Sequence, residues 1–214
     1  MQLFGMRLSP FVRKVLLFAA EKGIALEVVP ASMGQGGPAF EDASPFGKIP
    51  ALVDGDYSIC DSTAIITYLD TLYPEPNLIP AEAKARARTI WYEEFGDTIV
   101  QPATVPVFFN RLVAERLGRP VDHAAADQAE TEKVPPLFDY LERMLPDSGF
   151  LVEDRFTLAD ISVVCPIINF SYCSTVLTAD RWPRLHAYVA AIRERESVRA
   201  VLAEEAAMMK RLAA

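Results

Sequence analysis

Serine, lysine, aspartate and a proline-led strand are spaced in this chain so that they could hold a short anionic peptide. Ser9-Pro10 opens the first helical pattern, Lys48-Ile49-Pro50 leads into the apolar run Ala51-Leu52-Val53, and Asp61-Ser62 opens a second helix. Proline lacks an N–H and tolerates cis geometry, so an Ile49-Pro50 step at the head of a strand can turn the Ile49 N–H and C=O outward, toward an extended ligand. At Asp61-Ser62 the exposed amides of a helix start attract a carboxylate while the Asp61 side chain accepts from an ammonium, as the zwitterionic end of an amino acid requires. Lys48 stands beside the proline edge, where it could meet a second carboxylate.

Ser9 could act on sulfur. Bringing a thiol of pKa about 8.5 to 9 down to about 7 takes roughly 2.7 kcal/mol. A hydrogen bond to a charged group contributes about 1.5 to 3 kcal/mol, and a helix N-terminus about 0.3 to 1 more. One hydroxyl therefore suffices without a histidine base. Plainer readings stand beside these. Ser-Pro and Asp-Ser are ordinary helix caps, and lysines before strands are often simply exposed. Arg13 and Lys14 read as a solvated face. Cys60 reads as a small core residue, not a nucleophile.

Composition narrows the classes. The 214 residues carry a formal net charge of −8 and a sequence pI near 4.9, which argues against nucleic acid as a partner because phosphate contacts need a basic face. Three cysteines, an odd number, fit a reducing compartment better than a disulfide framework. His123 and His186 are the only histidines and no clustered ligand pattern accompanies them, so a metal site is not expected. Met1 runs directly into a strand pattern with no targeting segment, and the polar residues within 161–179 make that run a buried helix and not a membrane span.

The elements that must position these residues follow from periodicity. A strand over 1–6, a helix over 11–22 and a strand over 26–29 form a unit expected to be parallel and right-handed. The glycine-rich 33–44 reads as a loop with one short helix. Strands 51–53 and 57–60 close on Asp54-Gly55-Asp56 as a hairpin, and 62–72 is helical. Prolines at 74, 76 and 80 mark a linker. Beyond it the pattern is helical over 82–117, bent near Pro102 and Pro106, then over 124–145, 158–174, 182–193 and 197–212. This predicts an α/β domain over 1–78 with a mixed sheet and an all-α domain over 84–214.

The segments Leu8-Ser9-Pro10-Phe11-Val12-Arg13-Lys14-Val15, Ser44-Pro45-Phe46-Gly47-Lys48-Ile49-Pro50-Ala51-Leu52 and Asp61-Ser62-Thr63-Ala64-Ile65, the last followed by Tyr68-Leu69, resemble the soluble glutathione transferase family, over almost the whole chain. The resemblance implies a thioredoxin-like first domain, glutathione as co-substrate, a cytoplasmic homodimer, and conjugation of the glutathione thiolate to a small hydrophobic electrophile. It implies that Pro50 is cis and Ile49 pairs with the cysteinyl backbone. Asp61 and Ser62 would hold the γ-glutamyl end, Lys48 would face the glycyl carboxylate, and Ser9 would donate to the sulfur. The family usually has Glu at the position of Asp61 and often Val at that of Ile49, swaps that keep charge and strand character.

Absence of cysteine at Ser9, Phe11 and Val12 argues against thiol-exchange members, and the double-serine signature of the isomerase branch is missing. That leaves a serine-type transferase similar to theta-like or bacterial proteins. Phe156-Thr157-Leu158-Ala159-Asp160-Ile161 is a capping box with a purely structural role. Phe95, Val105, Phe108 and Phe109 are the candidate walls of an electrophile pocket between the domains, core packing being the competing role. The competing functions are peroxide reduction, halide displacement, and a non-catalytic glutathione-binding or protein-interaction module.

Overall fold

The computed structural model describes residues 1–213 apart from Met33, and the side chains of residues up to 210. Tertiary contacts divide the chain into two compact units, Met1–Leu78 with Arg195–Ala214, and Ile79–Glu194.

The first unit is built on a short mixed sheet. β1 (Gln2–Phe4), α1 (Pro10–Glu21), β2 (Glu27–Val29), α2 (Pro38–Ala43), β3 (Ala51–Asp54), β4 (Tyr57–Cys60) and α3 (Ser62–Leu72) follow one another in the chain. The strands lie in the order β2-β1-β3-β4. β1 and β2 are parallel, with Phe4 beside Val29, as a strand-helix-strand crossover demands. β1 runs antiparallel to β3, and the hairpin to β4 closes on Gly55 at φ 63°, a left-handed conformation that costs glycine little.

α1 carries Val12, Val15, Leu17 and Phe18 into the core, none exposed. A second apolar cluster, Phe4, Ala31, Phe40, Ala43 and Ala51, takes in the half-buried Ile49, Val53 and Cys60. Cys60 is thus the core residue expected, with a free thiol.

Arg13 and Lys14, read from the sequence as a solvated face, are fully buried. Arg13 donates through Nε and Nη2 to both carboxylate oxygens of Glu205 at 2.7 and 2.6 Å, and neither side chain has solvent exposure. Lys14 Nζ lies 3.5 Å from Thr63 Oγ1 at the head of α3. Glu205 is carried by α10 (Glu196–Ala213), which packs on α1 within this unit. Arg7 pairs with Glu204 at 2.5 Å, and Arg195 with Glu21 at 2.8 Å. Contacts group this last helix with the first unit.

Lys22 ends α1 with a side chain withdrawn from solvent. Its ammonium donates to the carbonyls of Tyr73 and Pro76 at 2.7 and 2.8 Å and pairs with Asp70 at 2.9 Å. The proline-rich segment after α3 is thereby stapled to α1.

The second unit is helical: α4 (Ala83–Phe95), α5 (Gln101–Phe108), α6 (His123–Gln128), α7 (Val134–Met144), α8 (Leu158–Ser171) and α9 (Pro183–Arg193). The run from α4 through α5 continues across Pro102 and Pro106, with wider π-helical turns at Gly96–Val100 and Phe109–Val113. A proline cannot donate to the carbonyl four residues back, and a widened turn absorbs that loss. A Cβ at Gly96 would come within 2.5 Å of the Ser162 carbonyl oxygen, so glycine there lets the run lie close against α8.

α8 is buried from Leu158 to Phe170. Its capping box forms as expected, Asp160 Oδ2 accepting from the Thr157 N–H at 2.9 Å. The same carboxyl accepts from the Leu151 N–H at 3.0 Å and the Tyr188 hydroxyl at 3.1 Å. Burial nevertheless pushes it up to about 6. Among the described residues no helix is long and apolar enough to cross a membrane, and no cluster of metal-ligating side chains occurs.

Candidate functional site

Three backbone junctions of the first unit carry the residues singled out by the sequence. The first is the turn from β1 into α1. Ser9 is the N-cap with extended φ −70° and ψ 126°, Pro10 occupies the first helical position, and the Ser9 hydroxyl makes no capping bond. Its backbone is engaged: the N–H donates to Met6 C=O and the C=O accepts from the Arg13 N–H, both at 2.9 Å. The half-buried hydroxyl is therefore not consumed by the cap that the sequence offered as its ordinary role. Glycine at position 5 tightens this corner, since a Cβ there would lie 2.5 Å from Val12 Cγ2 and 3.6 Å from Ile49 Cβ.

The second junction is the entry to β3. The Ile49-Pro50 bond is cis. The Ile49 side chain packs into the cluster around Phe4 and Phe40, and among the described residues neither its N–H nor its C=O has a partner. Lys48 is exposed, and its backbone is held by the buried Ser44. The Ser44 hydroxyl accepts from the Lys48 N–H at 2.9 Å and donates to the Lys48 C=O at 2.7 Å. Only the lysine side chain remains available there.

The third junction is the start of α3. Asp61 has φ 82°, in the left-handed region, which costs an L-residue of order 1–3 kcal/mol and clusters at ligand-holding positions. Its N–H donates to the Pro50 C=O at 3.2 Å, which ties this helix start to the proline edge. Oδ1 caps α3 by accepting from the N–H groups of Thr63 and Ala64 at 2.9 and 3.1 Å, leaving Oδ2 clear of the cap. Ser62 is 3% exposed. Its hydroxyl has no hydrogen-bond partner among the described residues, and its amide is one of the first-turn donors a helix leaves unpaired. The capping reading of Asp61 is thus observed at Oδ1, while Oδ2 takes no part in the cap.

The structure joins Ile49, Pro50, Asp61 and Ser62 directly, with Lys48 adjoining them and Ser9 on the corner that Gly5 packs against Ile49. The electrophile candidates all lie in the second unit. Phe95 is buried and stacks on Trp91 with centroids 5.2 Å apart, and Phe108 is buried too. Val105 is 37% exposed and Phe109 half-buried. Sequence reasoning gave no role to Ser44, although Ser-x-x-x-Lys with Pro45 and Gly47 between them is a local turn signal. It also missed Glu205, 192 residues from Arg13.

Comparison with known proteins decides the family. Residues 3–77 match the family model described as glutathione S-transferase, N-terminal domain, and residues 118–205 the model described as glutathione S-transferase, C-terminal domain. The chain belongs to the glutathione S-transferase family. It is 37% identical to glutathione S-transferase 3 of Zea mays over 75% of this chain and 73% of that protein. It is 32% identical to a glutathione S-transferase of Hyoscyamus muticus over 91% of this chain and 94% of that protein. Among solved structures, glutathione S-transferase I bound with lactoylglutathione superimposes with a TM-score of 0.83 at 26% identity, covering 94% of this chain and 98% of the other. These two relatives are plant proteins. The theta-like or bacterial affiliation expected from the serine-type first helix is corrected accordingly: the helix motif reports the chemistry of one turn, whereas the affiliation reflects the whole chain.

Proposed function

We propose that this transferase conjugates the glutathione thiolate to a small hydrophobic electrophile. Glutathione lies along the Ile49-Pro50 edge, its cysteinyl backbone paired with the N–H and C=O of Ile49. The γ-glutamyl carboxylate takes the Ser62 hydroxyl and amide, and its ammonium takes Asp61 Oδ2. The Lys48 ammonium meets the glycyl carboxylate. The thiol proton passes to solvent water, Ser9 donates to the resulting thiolate and stabilises it, and attack on an electrophilic carbon forms the carbon–sulfur bond while the leaving group departs with the bonding pair, without a histidine base. Phe95, Val105, Phe108 and Phe109 contribute the apolar surface for the electrophile. The protein acts as a cytoplasmic homodimer, with its free cysteines in a reducing compartment.

The observation that carries this reading is Ile49, packed by its side chain against the core while neither main-chain group has a partner among the described residues, next to Asp61 and Ser62. A related structure holding lactoylglutathione supports the choice of tripeptide. Ultraviolet difference absorption of bound glutathione against pH tests it. A thiolate band titrating about 1.5 to 2 units below free thiol is expected; a bound thiol titrating like the free one would remove Ser9 from its role, and no bound spectrum at all would remove the function.

A further inference from the structure

Resting on the glutathione reading, we infer that Ser44 is a positioning residue for the tripeptide: its hydroxyl clamps the backbone of Lys48 and so decides which main-chain groups of the entry to β3 remain for ligand. Ser44 is 2% exposed and follows α2 directly. Its N–H donates to Phe40 C=O and its C=O accepts from the Gly47 N–H, both at 2.8 Å. Its hydroxyl takes the Lys48 N–H at 2.9 Å and gives its proton to the Lys48 C=O at 2.7 Å. The loop is closed from the other side as well. Gly47, at φ 64°, accepts from the Gly34 N–H at 2.9 Å, and a Cβ on Gly47 would stand 2.9 Å from Gly34 Cα.

The consequence is a division of labour between neighbours. At position 48 both backbone groups are spent inside the protein and the side chain faces solvent, whereas at position 49 the side chain packs on the core and neither backbone group has a partner among the described residues. Without the Ser44 hydroxyl, the Lys48 amide and carbonyl would compete for ligand or water. The peptide plane between Lys48 and Ile49 could then rotate and misalign the Ile49 N–H. Ser44 touches neither sulfur nor electrophile. Its loss should weaken glutathione binding and leave the chemical step alone.

The test compares wild type, Ser44→Ala and Ser44→Thr by calorimetric titration with glutathione, steady-state kinetics and backbone amide exchange. Ser44→Ala should raise both the glutathione Kd and KM about tenfold, the loss of one to two net hydrogen bonds. It should keep kcat within about twofold and leave the thiolate pH profile unmoved, while Ser44→Thr, which retains the hydroxyl, recovers most of the affinity. In free wild type the Lys48 amide should be protected and the Ile49 amide should exchange freely, gaining protection only with glutathione. Should Ser44→Ala fail to fold, the wild-type exchange pattern and Ser44→Thr decide. Wild-type affinity in Ser44→Ala, a KM unchanged beside lowered stability, or a Lys48 amide exchanging as fast as that of Ile49 overturns the inference and leaves the glutathione reading standing. A wild type that does not bind glutathione removes both.

Discussion

The Asp61 N–H donates to the Pro50 C=O at 3.2 Å, so the first residue ahead of α3 is hydrogen-bonded to the proline that opens β3. This bond sets the first-turn amides of α3 beside Ile49, whose N–H and C=O have no partner among the described residues.

Ser62 should matter for affinity and Ser9 for rate. Ser62→Ala is expected to raise the glutathione Kd about ten- to a hundredfold, the cost of a hydrogen bond to a charged group, with little change in kcat. Ser9→Ala should slow conjugation by about one to two powers of ten while barely altering Kd. Titration and steady-state kinetics of the two variants separate the effects; a common loss in both parameters for both variants would contradict the assignment.

Arg13 and Glu205 should behave as one unit. Arg13→Met or Glu205→Leu removes one member of an ion pair in a site without solvent exposure, at a cost of about 3–5 kcal/mol. The double variant should recover most of that loss. Chemical denaturation of the three variants gives the coupling, and additive losses would mean that the pair is not coupled.

Gly96→Ala should destabilise the second unit by about 1–3 kcal/mol, because its Cβ would meet the backbone oxygen of Ser162 at 2.5 Å, and backbone yields less readily than a side chain. A melting temperature equal to wild type would show that α8 can move away from the run at no cost.

Asp160 makes stability depend on pH with a defined sign. Its folded pKa of about 6 lies above its ordinary value of 3.8, so the folded state holds the proton more tightly. This contribution is fully present below about pH 4 and is lost as pH rises through about 6, the difference amounting to about 3 kcal/mol. Measured against Asp160→Asn, which does not titrate, wild type should gain stability on acidification from pH 7 to pH 4. A difference independent of pH would mean that the carboxyl is charged throughout.

Much of the fold was legible in the sequence because its signals are local. Short apolar runs marked β1 and β3, Asp54-Gly55 marked the hairpin turn, prolines marked the linker, and Thr157 with Asp160 marked the start of α8. The motif residues Lys48, Ile49, Pro50, Asp61 and Ser62 were legible for the same reason, since caps and strand entries are written within a few residues. The contacts that bury Arg13 and Lys14 were not. A cation one turn into a helix reads as solvent-facing unless the partner from the far end of the chain is known, and that partner, Glu205, arrives only when α10 folds back onto α1.

By itself the chain order of side chains determined which chemistry was available: hydroxyls and a carboxylate at two helix starts, a proline at a strand entry, and no histidine within those motifs. Tertiary structure decided which of those groups remained unspent. The Ser9 hydroxyl is not used by its cap, Asp61 divides its two oxygens, and Ser44 consumes the backbone of Lys48 while Ile49 keeps its own. Donor and acceptor capacity is a property of residue type, but its satisfaction depends on distances and angles that exist only once the chain has closed on itself.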